Sequence, residues 1–258
     1  MNGISVCSFC VTIYLFQQEK RPFMTAPILI TGGAQRLGLA IAENLLFRHH
    51  SVIITYRSQK PSIDDLVKLG ATAIHADFAT NEGVVAFIQA LQAQTSSLRG
   101  IIHNASDWES ESAEATTAEH AQLFNKMMQV HANAPYLINL ACEKMLVPGA
   151  DIIHMTDYVQ ETGSKKHLAY AASKAALHNL TLSFANMLAP QVKVNSIAPS
   201  LLMFNDDDTE QYKQKALSKS LLEICPGAQE AVKAVNYILS SEYITGQAIH
   251  LNGGRHLK

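Results

Sequence analysis

The sequence predicts an α/β protein, a single doubly wound domain with a seven-stranded parallel sheet flanked by helices. Seven short runs, rich in β-branched residues and apolar on both faces, are distributed along the chain from residue 27 onward. Segments in which apolar residues have helical spacing lie between most of these runs. Strands that alternate with helices form right-handed βαβ units and therefore a parallel sheet.

Each predicted element follows from one of these two patterns. The stretch between the sixth strand and the last helix contains an acidic run, DDDTE, at 206–210. Such a stretch often forms a mobile lid over a substrate, and a plain solvated loop is the alternative. The predicted strands are 27–31, 51–55, 71–76, 99–104, 151–156, 192–197 and 247–251. The predicted helices are 37–49, 82–94, 118–145, 168–188 and 229–239.

Composition excludes several classes of protein. With 20 Lys+Arg against 22 Asp+Glu, the net charge of −2 leaves no cationic surplus for binding a nucleic acid. A hydrophobic fraction of 48%, spread along the chain, excludes a disordered protein. Four cysteines are too few for a disulfide framework and fit a reducing compartment, so we expect a cytoplasmic protein. Cys7 and Cys10 form a CxxC pair, but no second ligand pair follows, so no metal site is predicted.

The first 23 residues differ from the rest of the chain. The apolar run at 3–16 has no basic residue before it and no small-residue cleavage site after it, which argues against a signal peptide. The run is also too short to span a bilayer, so no membrane association is predicted. Because the first strand follows Met24 almost directly, we expect a domain at 24–258 and an N-terminal extension, 1–23, that is not native or is disordered.

A glycine-containing motif, TGGAQRLG, lies at 31–38, between the first strand and the first helix. Backbone N–H groups at such a helix start point toward an anion bound across the strand ends, which predicts a dinucleotide site. Gly32 would allow the tight turn and Gly38 the close packing of helix on sheet. Arg36 stands where such sites often have a glycine, so its guanidinium would contact phosphate or substrate. A surface arginine in a helix cap is the alternative.

The second strand is followed by Arg57 and Ser58, where NAD-specific proteins carry a carboxylate. Both residues can bind a 2′-phosphate through hydrogen bonds, and the cation strengthens them, so the sequence predicts NADPH rather than NADH. Asp77, after the third strand, and Asn104, after the fourth, are placed to touch the adenine and its ribose. Each can instead be a turn former.

The pentapeptide YAASK places Tyr170 and Lys174 one helical turn apart on the same face. A free phenol has a pKa of about 10 and transfers protons poorly at neutral pH. A neighbouring ammonium group and an oxidised nicotinamide would lower that pKa. This spacing is common on amphipathic helices, so the pentapeptide needs the other motifs to support it.

The order of the motifs resembles that of the short-chain dehydrogenase/reductase family. The resemblance covers 27–258 and implies a single Rossmann-type domain that forms a homo-oligomer, a tetramer or a dimer. It implies that Tyr170 donates a proton, that Lys174 binds the cofactor ribose, and that Asn133 holds a water molecule of a proton relay. Further cofactor contacts implied by the family are Leu37, Phe78, Ala105 and Pro199. The motifs are TGxxxxxG at 31–38, NAS at 104–106, YxxxK at 170–174 and IAPS at 197–200.

Asp157 departs from the common family pattern, in which a serine lies thirteen residues before the tyrosine. A carboxylate repels a carbonyl oxygen but accepts hydrogen bonds from ring N–H and amino groups, which favours a nitrogen heterocycle. With Arg36 and Trp108, this departure resembles the pteridine reductases within the family. The resemblance implies that Trp108 and the nicotinamide enclose a pterin, with Ser106 beside it. A loop aromatic and a capping aspartate are the alternatives for Trp108 and Asp157.

The resemblance therefore implies NADPH-dependent reduction of the C=N bond of 7,8-dihydromonapterin, with weak activity on dihydrofolate. A carbonyl or 3-oxoacyl reductase is one alternative, and Asp157 in place of serine is evidence against it. A non-catalytic NADPH-binding regulator is another, and the presence of Tyr170, Lys174 and Asn133 is evidence against that. We expect His103 and His154 to be packed in the interior rather than to bind a ligand.

Overall fold

A computed structural model of the protein describes residues 26–258 and contains one sheet of seven parallel strands in the order β3-β2-β1-β4-β5-β6-β7. The predicted fold class is confirmed. The expected extension at 1–23 and the pair Cys7 and Cys10 lie outside the described residues. The strands are β1 (Ile28–Thr31), β2 (Val52–Tyr56), β3 (Thr72–His75), β4 (Leu98–His103), β5 (Leu146–Met155), β6 (Val192–Pro199) and β7 (Ala248–Leu251).

Successive strand residues pack into two separate cores because side chains alternate across a sheet. In β1, Leu29 faces one core, which is covered by α3, α5 and α7, whereas Ile28 and Ile30 face the other, covered by α1 and α9. Burial on both faces explains why the strands read as continuous apolar runs. The helices are α1 (Arg36–Phe47), α2 (Pro61–Lys68), α3 (Asn81–Gln94), α4 (Thr117–Met128), α5 (Ala134–Cys142), α6 (Val159–Thr162), α7 (Leu168–Leu188), α8 (Glu210–Leu217) and α9 (Gln229–Ser240).

The single helix predicted at 118–145 is wrong, because a wider π-helical turn, Gln129–Asn133, separates α4 from α5. Pro135 lies in the first turn of α5 and has no N–H to donate to a carbonyl one turn earlier. A short 3₁₀ turn, Glu143–Met145, ends the segment. The break changes which side chains of this segment face the strand ends.

Helices α2, α6 and α8 were not predicted. Pro61 begins α2, and the apolar residues Ile63 and Leu66 are buried on one face. The acidic run at 206–210 forms the turn that begins α8, where the Thr209 hydroxyl accepts a hydrogen bond from the N–H of Tyr212. The predicted lid segment is therefore partly helical.

The chain order places a crevice at the carboxyl ends of β1 and β4. From β1 the sheet extends to β2 and β3 on one side and to β4 on the other, so loops after β1 and β4 separate. In such sheets ligands bind where the strand order reverses direction, here between β1 and β4.

Among the helices of residues 26–258, none has the length and apolar character needed to cross a membrane.

Candidate active site

A cleft of about 570 Å³ lies over the carboxyl ends of the strands. It brings together nearly all the predicted site residues, from segments far apart in the chain. Two of them, Gly38 and Asn133, do not line it. The predicted residues that do are Gly32, Arg36, Leu37, Arg57, Ser58, Asp77, Phe78, Asn104, Ala105, Ser106, Trp108, Asp157, Tyr170, Lys174 and Pro199.

The glycine motif forms a turn that only glycine fits at two positions. Gly32 has a φ of +65°, and a Cβ on it would lie 2.9 Å from the Ala105 Cα. A Cβ on Gly38 would lie 2.3 Å from the Gly32 carbonyl oxygen. The Asn104 side-chain amide donates to that same oxygen at 2.9 Å, so Asn104 holds the turn against the end of β4. Gly38 therefore acts below the cleft, through packing.

Arg36 has a φ of +51° at the start of α1, which is the left-handed region that favours glycine. This conformation explains why a glycine suits the position. Its guanidinium donates to Asn205 Oδ1 at 2.7 Å and to the Met203 carbonyl oxygen at 3.4 Å. Arg36 thus links the start of α1 to the lid segment across one edge of the cleft.

The end of the cleft beside β2 is open and basic. Arg57 and Ser58 are exposed, and Lys60, which was not predicted as a site residue, also lines this end. Asp107 lies 3.4 Å from the Arg57 guanidinium, a long contact for an ion pair. Asp77 accepts a hydrogen bond from the Ala79 N–H at 3.0 Å, so it forms a turn while lining the cleft. These groups fit a phosphorylated ribose.

The opposite end holds a group of ionisable side chains, Asp157, Tyr170 and Lys174. The Tyr170 hydroxyl donates to Asp157 Oδ2 at 3.0 Å, and Asp157 Oδ1 accepts from the Val159 N–H at 3.0 Å. Lys174 is buried, with its Nζ donating to the Met155 carbonyl oxygen at 2.9 Å and lying 5.5 Å from the centre of the Tyr170 ring. The predicted alignment of Tyr170 and Lys174 on one helix face is present in α7.

Burial dominates the ionisation of this group. Burial and the Asp157 carboxylate raise the pKa of Tyr170 well above its ordinary value. This direction is opposite to the lowering that a neighbouring ammonium group by itself would produce. Burial also raises the pKa of Asp157, against opposing hydrogen bonds and cations. Burial lowers the pKa of Lys174 to about 8, with Asp157 acting in the opposite direction.

The residues that line the cleft do not include Asn133. Its side-chain amide donates to Asn81 Oδ1 at 2.7 Å and to Gln129 Oε1 at 2.8 Å, outside the cleft. The π-helical turn accounts for this difference, because it shifts the direction of side chains at its end. The buried side chain that this turn directs toward Tyr170 is His131, whose ring stands edge-on to the tyrosine at 5.4 Å between centroids.

His131 connects the loop after β4 with α7. Its Nε2 accepts from the Asp107 N–H at 3.1 Å and lies 2.9 Å from the Ser106 hydroxyl. Since Nε2 is an acceptor, Nδ1 carries the proton and donates to the Ser173 hydroxyl at 2.8 Å. Burial lowers the pKa of His131 well below its usual range, so the ring is neutral. In the sequence, the signal that the helix is irregular near His131 was Pro135, which lies in the first turn of α5.

Trp108 lines the cleft with 63% of its surface exposed. Its ring contacts His167 at 4.5 Å between centroids. An exposed indole at a cleft is a surface on which a flat ring can stack.

His103 and His154, expected to be packed, are buried and both hydrogen-bond to Asn139. In residues 26–258 no three His, Cys, Asp or Glu side chains are grouped as metal ligands.

Comparisons with known proteins agree with this geometry. A family model described as enoyl-(acyl carrier protein) reductase matches residues 32–256. The dihydromonapterin reductase of Shigella boydii is 52% identical over 236 residues, 90% of this chain and 97% of that protein. The FolM alternative dihydrofolate reductase 1 from Brucella canis, solved with NADP, has a TM-score of 0.82 and 26% identity, covering 92% of this chain and 96% of its own.

The corresponding Brucella suis structure, also with NADP, has a TM-score of 0.81 and 26% identity, covering 92% of this chain and 97% of its own. Together with the sheet order and the cleft, these matches establish the class of protein. The chain belongs to the short-chain dehydrogenase/reductase family, as the order of its motifs predicted.

Proposed function

We propose that this protein is an oxidoreductase that uses NADPH to reduce the C=N bond of 7,8-dihydromonapterin, with weak activity on dihydrofolate. The observation that carries the proposal is the hydrogen bond between Tyr170 and Asp157 at the end of the cleft that Trp108 also lines. The 52% identity to a dihydromonapterin reductase supports the pterin, and the FolM structures support dihydrofolate and NADP.

The residues at the open end fit the cofactor. The close approach of Gly32 to Ala105 leaves space for phosphates beside the start of α1, where N–H groups point outward. Arg57, Ser58 and Lys60 would hold a 2′-phosphate, and Lys174 would bind the nicotinamide ribose. NADPH held there would supply a hydride to the carbon of the C=N bond.

The protein must hold the pterin flat and supply a proton to its nitrogen. The Trp108 ring provides a stacking surface, and Asp157 accepts hydrogen bonds from the amino and ring N–H groups of the pterin. Because its pKa is raised, Tyr170 is a neutral phenol at neutral pH and carries the proton that reduction consumes. Lys174, 5.5 Å from the ring, stabilises the phenolate that remains.

We assign His131 and Ser106 to holding the loop after β4 in place, not to contacting the substrate. The contacts of His131 hold the loop that carries Trp108 at a set distance from α7, which carries Tyr170. This arrangement fixes the width of the substrate site. We propose His131 as a positioning residue in place of Asn133.

The test is an assay of NADPH oxidation with dihydromonapterin, dihydrobiopterin, dihydrofolate and a panel of ketones. We expect turnover of the pterins, slower turnover of dihydrofolate and none of the ketones. Asp157→Asn keeps the shape but places an amide against the pterin donors, so kcat/KM for dihydromonapterin should fall about 10- to 100-fold. Glu161→Gln, which changes an exposed carboxylate of α6, is the matched control. Ketone turnover without pterin turnover would favour the carbonyl or 3-oxoacyl reductase.

Two further expectations belong to the proposal. The free cysteines Cys142 and Cys225 are compatible with a reducing cytoplasm. A homo-oligomer, a tetramer or a dimer, is expected from the family and is measured by light scattering of the purified protein. NADPH binding without consumption of any substrate would favour a non-catalytic regulator.

A further inference from the structure

A second pocket, of about 750 Å³, opens beside the substrate end of the cleft and is lined mainly by basic and hydroxyl side chains. We call it the basic pocket. It lies between the loop that joins α6 to α7, the residues after α8, and the carboxyl terminus. Its basic residues are Lys165, Lys219, Arg255, His256 and Lys258.

One wall of the basic pocket continues from the catalytic group. Tyr158 lines the pocket and directly follows Asp157 of the cleft. The Arg255 guanidinium lies over the Tyr158 ring, 4.4 Å from its centre. Burial raises the pKa of Asp157, and the charge of Arg255 is among those that oppose this effect. Arg255 is therefore within electrostatic reach of the substrate site.

The opposite wall continues from the stacking residue. The loop that carries Lys165 packs on the loop after Trp108, because the Lys166 carbonyl oxygen accepts from the Glu111 N–H at 3.3 Å. His167 of the same loop contacts the Trp108 ring. A substituent that leaves a pterin between Trp108 and Asp157 thus has the basic pocket next to it.

The positive charge of the basic pocket is largely uncompensated. Among the described residues, the one salt bridge made by its basic side chains joins Lys258 to Glu223 at 3.2 Å. Partial burial, followed by the charges of Arg255, Lys215 and others, lowers the pKa of Lys219. Neighbouring cations that lack carboxylate partners attract an anion from solution.

We propose that the basic pocket binds an anionic group on the side chain of the pterin substrate, either the carboxylates of a glutamyl tail or a phosphate ester. The inference rests on the proposed function, since it extends the pterin site. It predicts that anionic pterins have lower KM values than their neutral counterparts, while kcat depends on the Tyr170 group.

The first experiment measures KM and kcat for neutral dihydromonapterin, its phosphate monoester, dihydrofolate, and dihydrofolate with an oligoglutamate tail. We expect KM to fall with the longer tail or with the phosphate ester, and the substrate that shows the larger fall identifies the source of the anion. Salt raised from about 0.05 to about 0.5 M should remove that advantage, since screening weakens exposed charge pairs. Equal KM values and equal salt dependence for neutral and anionic substrates would overturn the inference.

The second experiment removes two cations of the basic pocket with the double variant Lys165→Gln, Lys219→Gln. KM for the preferred anionic substrate should rise about 3- to 10-fold more than KM for dihydromonapterin, the range for two exposed ion pairs. Lys233→Gln, on α9 and paired with Glu230, is the control for a lost surface charge. A rise that is the same for neutral and anionic substrates contradicts the assignment.

Binding without turnover separates this inference from the proposed function. Trp108 is the single tryptophan, so quenching of its fluorescence reports pterin binding without NADPH. Dihydrofolate with an oligoglutamate tail, or the phosphate ester, should bind more tightly than its uncharged or monoglutamyl counterpart, and the double variant should lose that difference. No turnover of dihydromonapterin contradicts the proposed function, whereas an absent affinity difference contradicts the basic pocket alone.

Discussion

The two ends of the cleft use charge in opposite ways. At the end beside β2, Arg57 and Ser58 are exposed, and the long contact of Arg57 with Asp107 leaves its guanidinium able to bind an anion. At the other end Lys174 and Asp157 are buried, and burial shifts the pKa values of both. Exposed charges select a ligand at little cost to the fold, whereas buried charges can move protons but oppose folding.

The largest effect is expected at the buried end. Tyr170→Phe removes the hydroxyl that we propose supplies the proton, so kcat with dihydromonapterin should fall about 10²- to 10⁴-fold. Tyr237→Phe, which changes an exposed tyrosine of α9, is the matched control. NADPH binding measured by fluorescence should stay close to that of the parent protein. Turnover near the parent rate would remove Tyr170 from the proton path.

A smaller effect is expected from Lys174, whose burial in the folded protein lowers stability. The Lys174 pKa falls from 10.5 to about 8 on folding, so the burial cost is fully present below pH 8 and is relieved as the pH rises toward 10.5. Lys174→Met should therefore stabilise the cofactor-free protein at pH 7 by up to about 3 kcal/mol, less the lost hydrogen bond to Met155. This gain should shrink between pH 8 and 10.5 in urea unfolding. A gain in the free energy of unfolding that does not change with pH would contradict the lowered pKa of Lys174.

The smallest effect is expected at the exposed end. Arg57→Gln should reduce the preference for NADPH over NADH, as a ratio of kcat/KM values, by about 5- to 150-fold, or about 1–3 kcal/mol. The effect should weaken with added salt, unlike that of Tyr170→Phe. Arg48→Gln, at the far end of α1, is the matched control. Equal kcat/KM with both cofactors in the parent protein would refute the assignment of Arg57.

The sequence predicted the exposed end more completely than the buried end. Arg57 and Ser58 directly follow β2 and the glycine turn directly follows β1, so their positions follow from local pattern. Lys60 was missed because α2 was not predicted, although Pro61 marks its first turn. The basic pocket joins Lys165, Lys219 and the carboxyl terminus, and no local pattern relates those segments.

The buried end shows why the remainder could not be predicted. The spacing of Tyr170 and Lys174 determined that they share a face of α7, but not the sign of the tyrosine pKa shift. That sign depends on burial and on Asp157, which tertiary packing places 3.0 Å from the hydroxyl. A π-helical turn likewise determines that His131, and not Asn133, faces Tyr170. Ordinary helical periodicity does not reveal such a turn.

By itself the sequence determined the seven strands, the glycine turn and the family, because these depend on residue types at short spacing along the chain. Tertiary structure alone decided the direction of the pKa shifts of Tyr170, Asp157 and Lys174, the contacts of His131, and the grouping of cations in the basic pocket. Those properties depend on distances and burial between segments that are far apart in the chain, and electrostatic energy varies with both.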